Sequence, residues 1–300
     1  MTKLYYHKNF YTGWCSELIL LYDDLKNNIN DGRFESFINS DFIYVDKIED
    51  CDYVVLPYKW RGLDDITKTI IEDCKINSKK ILIFYNDDSN QEIPIDNNLG
   101  YIFRTSFNRS TKNKNEFALP PFFVDEFSND FILLDNIQLN IGFCGFDHYQ
   151  RKHALNNIKN NLMIKSDFII RQSFWAKEVN EDVAIKSFND NIKNNLFGFT
   201  SRGAGNFSYR FYQILSMGRI PVLLDTDSVL PFSNQIDYHK HCVIVDIKDI
   251  DNISDFILKF YNDKTKNELY QIQINNRNLY LEYFSPNGFI KNIKNYLNEK

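Results

Sequence analysis

The most informative segment of the chain runs from residue 197 to residue 222 and reads FGFTSRGAGNFSYRFYQILSMGRIPV. Four of the eleven glycines fall between Gly198 and Gly218, so backbone freedom is concentrated in one short stretch. The pattern predicts three elements: a buried strand over 195–201, a helix over 208–217 and a buried strand over 220–225. This order is typical of an α/β protein with a parallel sheet.

The glycine-rich turn of this segment predicts an anion site. Gly203 and Gly205 allow a ligand to approach the backbone closely, and Ser208 is expected to cap the following helix. The first N–H groups of that helix, together with Arg202 and Arg210, are suited to a diphosphate. The alternative is that the turn serves packing and the arginines form surface ion pairs. A dinucleotide fingerprint is not present, because G-x-G lacks its continuation.

The alternation of strands and helices continues on both sides of this segment, from a helix over 16–28 near the start to helices at the end. The strands predicted in the first half are 3–7, 42–45, 53–57, 81–86 and 101–106, and those that complete the second half are 137–146, 163–171 and 241–247. An Asn/Ser/Lys-rich loop over 107–116 and a Pro-Pro pair then separate two α/β halves, 1–125 and 126–300. We consider that the final helical segment, 264–297, packs back on the first half.

Composition excludes several classes of protein. A net charge of −5 without a basic block argues against a general nucleic-acid binder. The five cysteines form no C-x-x-C motif, which argues against a zinc site or a disulfide framework. Because no signal peptide and no stretch of 18 apolar residues occurs, we expect a cytoplasmic protein without a transmembrane segment.

Residues 197–238 resemble the C-terminal signature of the exostosin family, glycosyltransferase family 47. The shared pattern is R-G-x-G-x-F-S-x-R-F-x-x-x-L-x-x-G-R-I-P-V, followed by Leu230-Pro231-Phe232 and Ile236-Asp237-Tyr238. The order of the elements upstream is also similar. It comprises a YVVLP strand, a Gly142–Gly145 turn before Arg151, and the run that begins at Arg171. The sharp part of the match covers about a seventh of the chain.

The resemblance implies a GT-B fold, in which two Rossmann-like domains face each other across a cleft. The nucleotide-sugar donor, most simply a UDP-sugar, binds the C-terminal domain, and a saccharide acceptor binds mostly the N-terminal one. Transfer proceeds with inversion and without an obligatory metal, in the synthesis of capsule, lipopolysaccharide or another surface glycan. The resemblance thus adds peripheral association with glycan-assembly machinery to the expected cytoplasmic location.

Several side chains can be assigned to the donor on these grounds. Arg202 and Arg210 are assigned to the diphosphate, and Asp225 to the donor sugar or ribose. The family usually has glutamate at the position of Gln213, where it holds the ribose, and glutamine can still hydrogen-bond to a hydroxyl. The full donor set is Arg151, Arg171, Arg202, Gly203, Gly205, Ser208, Arg210, Gln213 and Asp225. Salt bridges and turn caps are the alternative roles of these side chains.

An inverting transfer needs a base for the acceptor hydroxyl. Asp87 and Asp88 follow the strand over 81–86, and His7 ends the first strand with a suitable intrinsic pKa. A polar turn and a structural histidine are the rival interpretations. The tryptophans Trp14, Trp60 and Trp175 are candidates for stacking on a sugar, and the histidine spacing does not predict a metal site.

Two other functional classes remain open at this level. One is a non-catalytic member of the same fold that binds nucleotide or glycan, which Gln213 and the lack of an obvious base motivate. The other is an α/β oxidoreductase or phosphotransferase, against which the missing dinucleotide and Walker fingerprints argue.

Overall fold

The computed structural model of the 300-residue chain describes residues 1–11, 18, 33–34, 42–127, 131–148, 150–174 and 176–297. Two parallel sheets, each with helices packed on it, form the two halves of the described chain. The helix predicted over 16–28, apart from residue 18, lies outside the described residues, as do Trp14 and Trp175, whereas Trp60 is buried.

The first sheet contains six parallel strands in the order β2-β1-β3-β4-β5-β6. Their bounds are β1 Thr2–Tyr5, β2 Phe42–Tyr44, β3 Tyr53–Val55, β4 Lys80–Tyr85, β5 Gly100–Arg104 and β6 Glu116–Ala118. Helix α1, Asp65–Ile76, begins where the Asp64 carboxylate accepts from the Thr67 N–H at 2.7 Å, an N-terminal cap. Strand β6 lies partly in a segment that the sequence assigns to a loop, since three residues carry too little periodicity to be recognised.

The second sheet contains five parallel strands in the order β11-β10-β9-β7-β8. Its strands are β7 Asn140–Phe146, β8 Lys165–Arg171, β9 Phe197–Ser201, β10 Ile220–Asp225 and β11 Val243–Asp246. The helices that accompany them are α2 Gln150–Lys159, α3 Glu181–Asn194, α4 Tyr209–Ser216 and α5 Ile253–Asn262. Strands β9 and β10 are buried throughout and pair side by side, which confirms the strand–helix–strand unit predicted from residues 197–222.

Helix α4 stops at a residue that only glycine suits well. Gly218 follows it with a φ of +70°, a left-handed conformation that side chains rarely adopt. A Cβ at this position would also lie 2.5 Å from the carbonyl oxygen of Gln273. The chain can therefore turn directly from α4 into β10 beneath the next layer of helices.

The C-terminal helices return to the first sheet. They are α6 Lys266–Leu279, a π-helical turn at Tyr280–Phe284, and α7 Pro286–Leu297. On α7, the rings of Phe289 and Tyr296 lie 6.1 and 6.2 Å from the ring of Phe103 on β5. The hydroxyl of Tyr53 donates to the Leu297 carbonyl at 3.1 Å. Helix α7 thus contributes to the core of the first sheet.

The α/β class with two Rossmann-like domains, as in the GT-B fold, is confirmed by this topology. Among the described residues, none of the helices combines the length and the apolar character needed to span a bilayer.

Candidate functional site

The carboxyl ends of the second sheet border two neighbouring cavities of about 370 Å³ each. The first lies at the ends of β7 and β9 and is lined by His148, Gln150, Arg151, Phe174, Ser201, Arg202, Gly203 and Ala204. The second lies at the ends of β10 and β11 and also includes Gln150 and Arg202. Because Arg202 lines both, it stands between them. This edge is where parallel α/β sheets commonly bind ligands.

Arg151 is held rigidly on the wall of the first cavity. Its guanidinium donates to Ser201 Oγ at 3.0 Å, to the Phe146 carbonyl at 3.0 Å and to the Arg202 carbonyl at 2.8 Å. All of these acceptors are neutral, and burial lowers the pKa of Arg151 to about 10. The strand ends therefore position a positive charge that no carboxylate within the described residues neutralises by an ion pair.

Arg202 lies on the glycine-rich turn, half-exposed to both cavities. Its Nη2 donates to the Ala204 carbonyl at 2.8 Å, and the Gly203 N–H donates to the Phe207 carbonyl at 3.0 Å. The turn is therefore closed on itself, with the arginine on its outer side. Gly203 lines the first cavity, as expected for a residue that a ligand can approach.

Arg210 is not in the position that the sequence analysis expected. It is only 9% exposed and lies beneath β7, with its guanidinium 4.9 Å from the ring of Phe143 and 4.2 Å from that of Phe188. It donates to the Cys144 carbonyl, while its Nη1 has no hydrogen-bond partner among the described residues. The expectation that it points into the cleft together with Gln213 is wrong, because this face of α4 packs against the sheet.

Two further donor assignments need correction. Ser208 stands at the start of α4, but its side chain makes no capping hydrogen bond and instead accepts from Thr200 Oγ1 at 2.8 Å. The start of α4 borders a cavity of only about 20 Å³, so the larger cavity lies at the start of α2. Arg171 donates to Ser187 on α3 and is not among the residues that line either of the two larger cavities. Gln213 is half-buried on α4.

Asp225 lines the second cavity, and its oxygens are already engaged. Oδ2 accepts from Arg109 Nη2 at 2.9 Å, and Oδ1 accepts from the N–H of Ser228 at 3.0 Å. Arg109 belongs to the first half of the chain, 116 residues away, and also lines this cavity. Sequence reasoning missed Arg109, because nothing in its local pattern indicates which distant strand end it meets.

The carboxylates after β4 differ in their surroundings. Asp87 forms an ion pair with Lys59 and accepts from the Ser89 N–H at 2.8 Å. Burial raises the pKa of Asp87, but these two hydrogen bonds outweigh it and hold the pKa below its usual range. Asp88 is exposed and packs against the glycine-rich turn, where a Cβ on Gly205 would lie 2.8 Å from both its Cα and its Oδ1. Asp88 is therefore in contact with the turn that borders the cavities.

His7 lies elsewhere in the first domain. Strand β1 pairs Tyr5 with Val54, which pairs with Ile81, whereas β4 continues to Tyr85. Strand β1 therefore ends at the level of Ile81 and does not extend to the edge of the sheet where Asp87 and Asp88 lie. His7 Nε2 lies 3.3 Å from Asp73, and the ring borders a separate cavity of about 200 Å³ beside Lys8 and Asp46. The expectation that it serves as a base in the cleft is wrong on this geometry.

His148 and Phe174 are among the residues of the first cavity that were not assigned a role from the sequence. His148 follows β7, and burial together with the charges of Arg151 and Arg202 lowers its pKa. Phe174 follows β8 and exposes half of its surface, with its ring 5.2 Å from that of His148. Their position just after strand ends is the signal that could have found them. The described residues contain no group of three or more His, Cys, Asp or Glu side chains placed to hold a metal ion.

The similarity of the sequence to known proteins is partial. No family model matches the chain. A stretch of 136 residues, 44% of the chain, is 24% identical to the Exostosin-1 homolog of Caenorhabditis elegans and spans 35% of that protein. The match therefore covers about a third of the length of this relative.

Similar solved structures extend over the whole chain. A glycosyltransferase from Rickettsia africae has a TM-score of 0.46 at 8% identity, covering 100% of this chain and 99% of its own. HepE of Anabaena, solved in complex with UDP and glucose, has a TM-score of 0.45 at 9% identity and full coverage of both chains. A putative UDP-N-acetylglucosamine 2-epimerase from Listeria monocytogenes has a TM-score of 0.38 at 9% identity, covering 100% of this chain and 97% of its own. These likenesses concern the fold alone.

Proposed function

We propose that the protein is a glycosyltransferase that moves a sugar from a nucleotide-sugar donor to a saccharide acceptor. The observation that carries the proposal is the charge at one sheet edge: Arg151 and Arg202 line the cavity at the ends of β7 and β9, and Arg210 lies beneath β7, all without an ion pair to any described carboxylate. Buried positive charge without a partner is costly, and a bound diphosphate would offset that cost. The match to the Exostosin-1 homolog supports the same activity.

The roles follow from the geometry. Arg151 and Arg202 would bind the diphosphate at the Gly203 turn, and Arg210 would add positive potential from beneath the sheet. When the bond between the anomeric carbon and the diphosphate oxygen breaks, these groups stabilise the negative charge of the leaving group. Asp88 would take the proton of the acceptor hydroxyl while the hydroxyl oxygen attacks the anomeric carbon from the side opposite the diphosphate. This attack inverts the anomeric centre.

The finer features of the proposal rest on the resemblance. They are a UDP-sugar as donor, metal independence, a cytoplasmic site of action and a role in surface glycan synthesis with peripheral association. The boundary between an acceptor domain over 1–125 and a donor domain over 126–300 belongs to the same proposal. The direct contact of Asp88 with the turn at Gly205 is consistent with a reaction centre between the domains.

A donor screen tests the proposal directly. The protein is titrated with UDP-, GDP-, CDP- and CMP-sugars, and nucleotide release is followed with mixed saccharide acceptors. Arg202→Ala should weaken donor binding about 10- to 150-fold, the range for a lost charged hydrogen bond. Arg61→Ala is the matched control, since Arg61 pairs with Asp64 on the surface of the first domain. Equal donor affinity in both variants would contradict the phosphate site.

A non-catalytic nucleotide binder is the second candidate. It is favoured by the engagement of Asp87 with Lys59, which removes one of the expected bases. Donor binding without release, unchanged in Asp88→Asn, would favour this candidate. Release by the wild type that falls in Asp88→Asn would exclude it.

A further inference from the structure

A buried asparagine joins the glycine-rich turn to the other domain. Asn206 is 1% exposed, and its N–H donates to Ser106 Oγ at 2.8 Å. Its Nδ2 is surrounded by three acceptors: the Phe107 carbonyl at 3.3 Å, Asn108 Oδ1 at 2.8 Å and the Thr226 carbonyl at 3.1 Å. Its Oδ1 accepts from Thr226 Oγ1 at 2.7 Å. The side chain therefore connects three segments with nearly all of its hydrogen-bonding capacity.

Ser106 continues this connection to the loop after β4. The Ser106 hydroxyl, itself 1% exposed, lies 3.1 Å from the Asp88 carbonyl and also contacts Asn90 Oδ1. A short chain of atoms thus runs from the backbone of Asn206 through one hydroxyl to the backbone of Asp88. Because Ser106 and the Asn206 backbone are buried, little water competes for the hydrogen bond between them.

These hydrogen bonds link two parts of the proposed reaction site, the glycine-rich turn and the Asp88 loop. Asn206 follows the turn that carries Arg202, and Asp88 lies against Gly205 of the same turn. We propose that Asn206 is a positioning residue that sets the Asp88 carboxylate relative to the turn. This inference rests on the proposed function, because only a reaction at this edge requires the two to be held at a fixed distance.

Other contacts hold the domains together without Asn206. The Arg109 N–H donates to the Asp227 carbonyl at 2.8 Å, close to the same loop. An apolar core also includes Phe103 of the first sheet together with Phe211 and Phe232 of the second domain. Removing the Asn206 side-chain amide should therefore leave the domains docked. Because this amide holds the Phe107 carbonyl and Asn108 next to Ser106, its loss should displace Ser106 and, through the Ser106 hydroxyl, the Asp88 loop.

The test compares Asn206→Ala with Tyr58→Phe, which also removes a buried hydrogen bond, the one between the Tyr58 and Thr67 hydroxyls at 2.8 Å, within the first domain. Hydrogen–deuterium exchange at residues 86–90 should become about fivefold faster in Asn206→Ala and stay unchanged in Tyr58→Phe. With the donor found in the screen, kcat should fall about 100-fold while the Kd for donor changes less than threefold. Asn206→Asp, which keeps the acceptor but loses the donors, should behave like alanine.

Each outcome decides one of the two claims. Unchanged exchange at residues 86–90 in Asn206→Ala would overturn the positioning role, whether or not a donor is found. Unchanged kcat, or an equal loss of kcat and donor affinity, would overturn it as well. A wild-type protein that releases no nucleotide contradicts the proposed function instead, while the exchange experiment still decides whether Asn206 orders the Asp88 loop.

Discussion

The buried arginines near the carboxyl edges of the two sheets differ in their partners. In the first sheet, Arg104 on β5 is 1% exposed and pairs with Glu116 at 2.8 Å, and Lys59 pairs with Asp87. In the second sheet, Arg151 and Arg210 are also largely buried but donate only to neutral carbonyl and hydroxyl oxygens. The buried charges of the first edge are therefore paired, whereas the arginines near the ends of β7 and β9 have no carboxylate partner among the described residues.

This difference distinguishes buried charges that are paired within the fold from buried charges that are suited to binding an anion. A buried ion pair completes its own hydrogen bonding and stabilises the chain around it. Buried guanidiniums without carboxylates gain their partner only when an anion binds, so they lower stability in its absence. In a protein of net charge −5, such a local excess of positive charge is unlike the rest of the molecule.

The largest expected effect on stability comes from removing the buried ion pair between Arg104 and Glu116 in the first sheet. Arg104→Met should lower the free energy of unfolding by about 3–5 kcal/mol, because Glu116 would remain buried without its partner. Arg210→Met should leave it unchanged or raise it by up to about 1 kcal/mol, since the arginine has no carboxylate to leave behind. Urea denaturation measures both. If the two variants lose equal stability, the distinction between the edges is wrong.

The contact between the edges provides the next test. Gly205→Ala should lower stability by about 1–3 kcal/mol, because its Cβ would lie 2.8 Å from the Asp88 backbone and 2.7 Å from the Phe207 ring. Gly203→Ala is the matched control, with no neighbour nearer than 4.0 Å, and should cost less than about 0.5 kcal/mol. Thermal denaturation compares the two, and an equally tolerated alanine at position 205 would contradict the close contact.

Gly203→Ala also serves to locate the ligand. If the diphosphate lies on the turn, this variant should bind donor about tenfold more weakly with its stability intact, since a methyl group would stand where the ligand meets the backbone. Calorimetric titration with the donor found in the screen measures this. Wild-type affinity in this variant would place the phosphates away from the turn.

The smallest effect is a pH dependence at His148. Burial and the neighbouring arginines lower its pKa, so its contribution to stability is present above pH 6.5 and is lost as the pH falls below that value. A bound diphosphate opposes this by favouring the protonated ring, so donor affinity should rise about three- to tenfold from pH 7.5 to pH 6.

A nucleotide-sugar is the suitable ligand for that measurement, because its diphosphate does not titrate in this range. His148→Gln should abolish the dependence while it keeps a polar side chain in the cavity. An identical pH profile in the variant would show that the proton is taken up elsewhere.

Much of the fold was predictable from local patterns. The buried strands over 197–201 and 220–225 were predicted to within two residues, because runs of apolar residues between glycine turns are a local signal. Strand β6 was missed because three residues give no periodicity. The capping role of Ser208 was wrong because Thr200 on the neighbouring strand competes for its hydroxyl.

The location of the candidate site was predictable from the sequence, but the placement of its individual arginines was not. The glycine-rich turn at residues 202–205 does border the cavities, whereas the importance of Arg151 over Arg210 depends on which face of each helix packs against the sheet. Helical spacing states which residues share a face, but not which face is buried when every side carries aromatic residues.

By itself, the sequence determined the order of strands and helices, the turn that carries Arg202 and the absence of a dinucleotide fingerprint, because these depend on neighbours along the chain. Only the tertiary structure decided that Arg109 meets Asp225, that Asn206 meets Ser106, and that Asp88 lies against Gly205. Each of these contacts joins residues about 100 or more positions apart. They depend on how two separately patterned domains dock, which no local periodicity encodes.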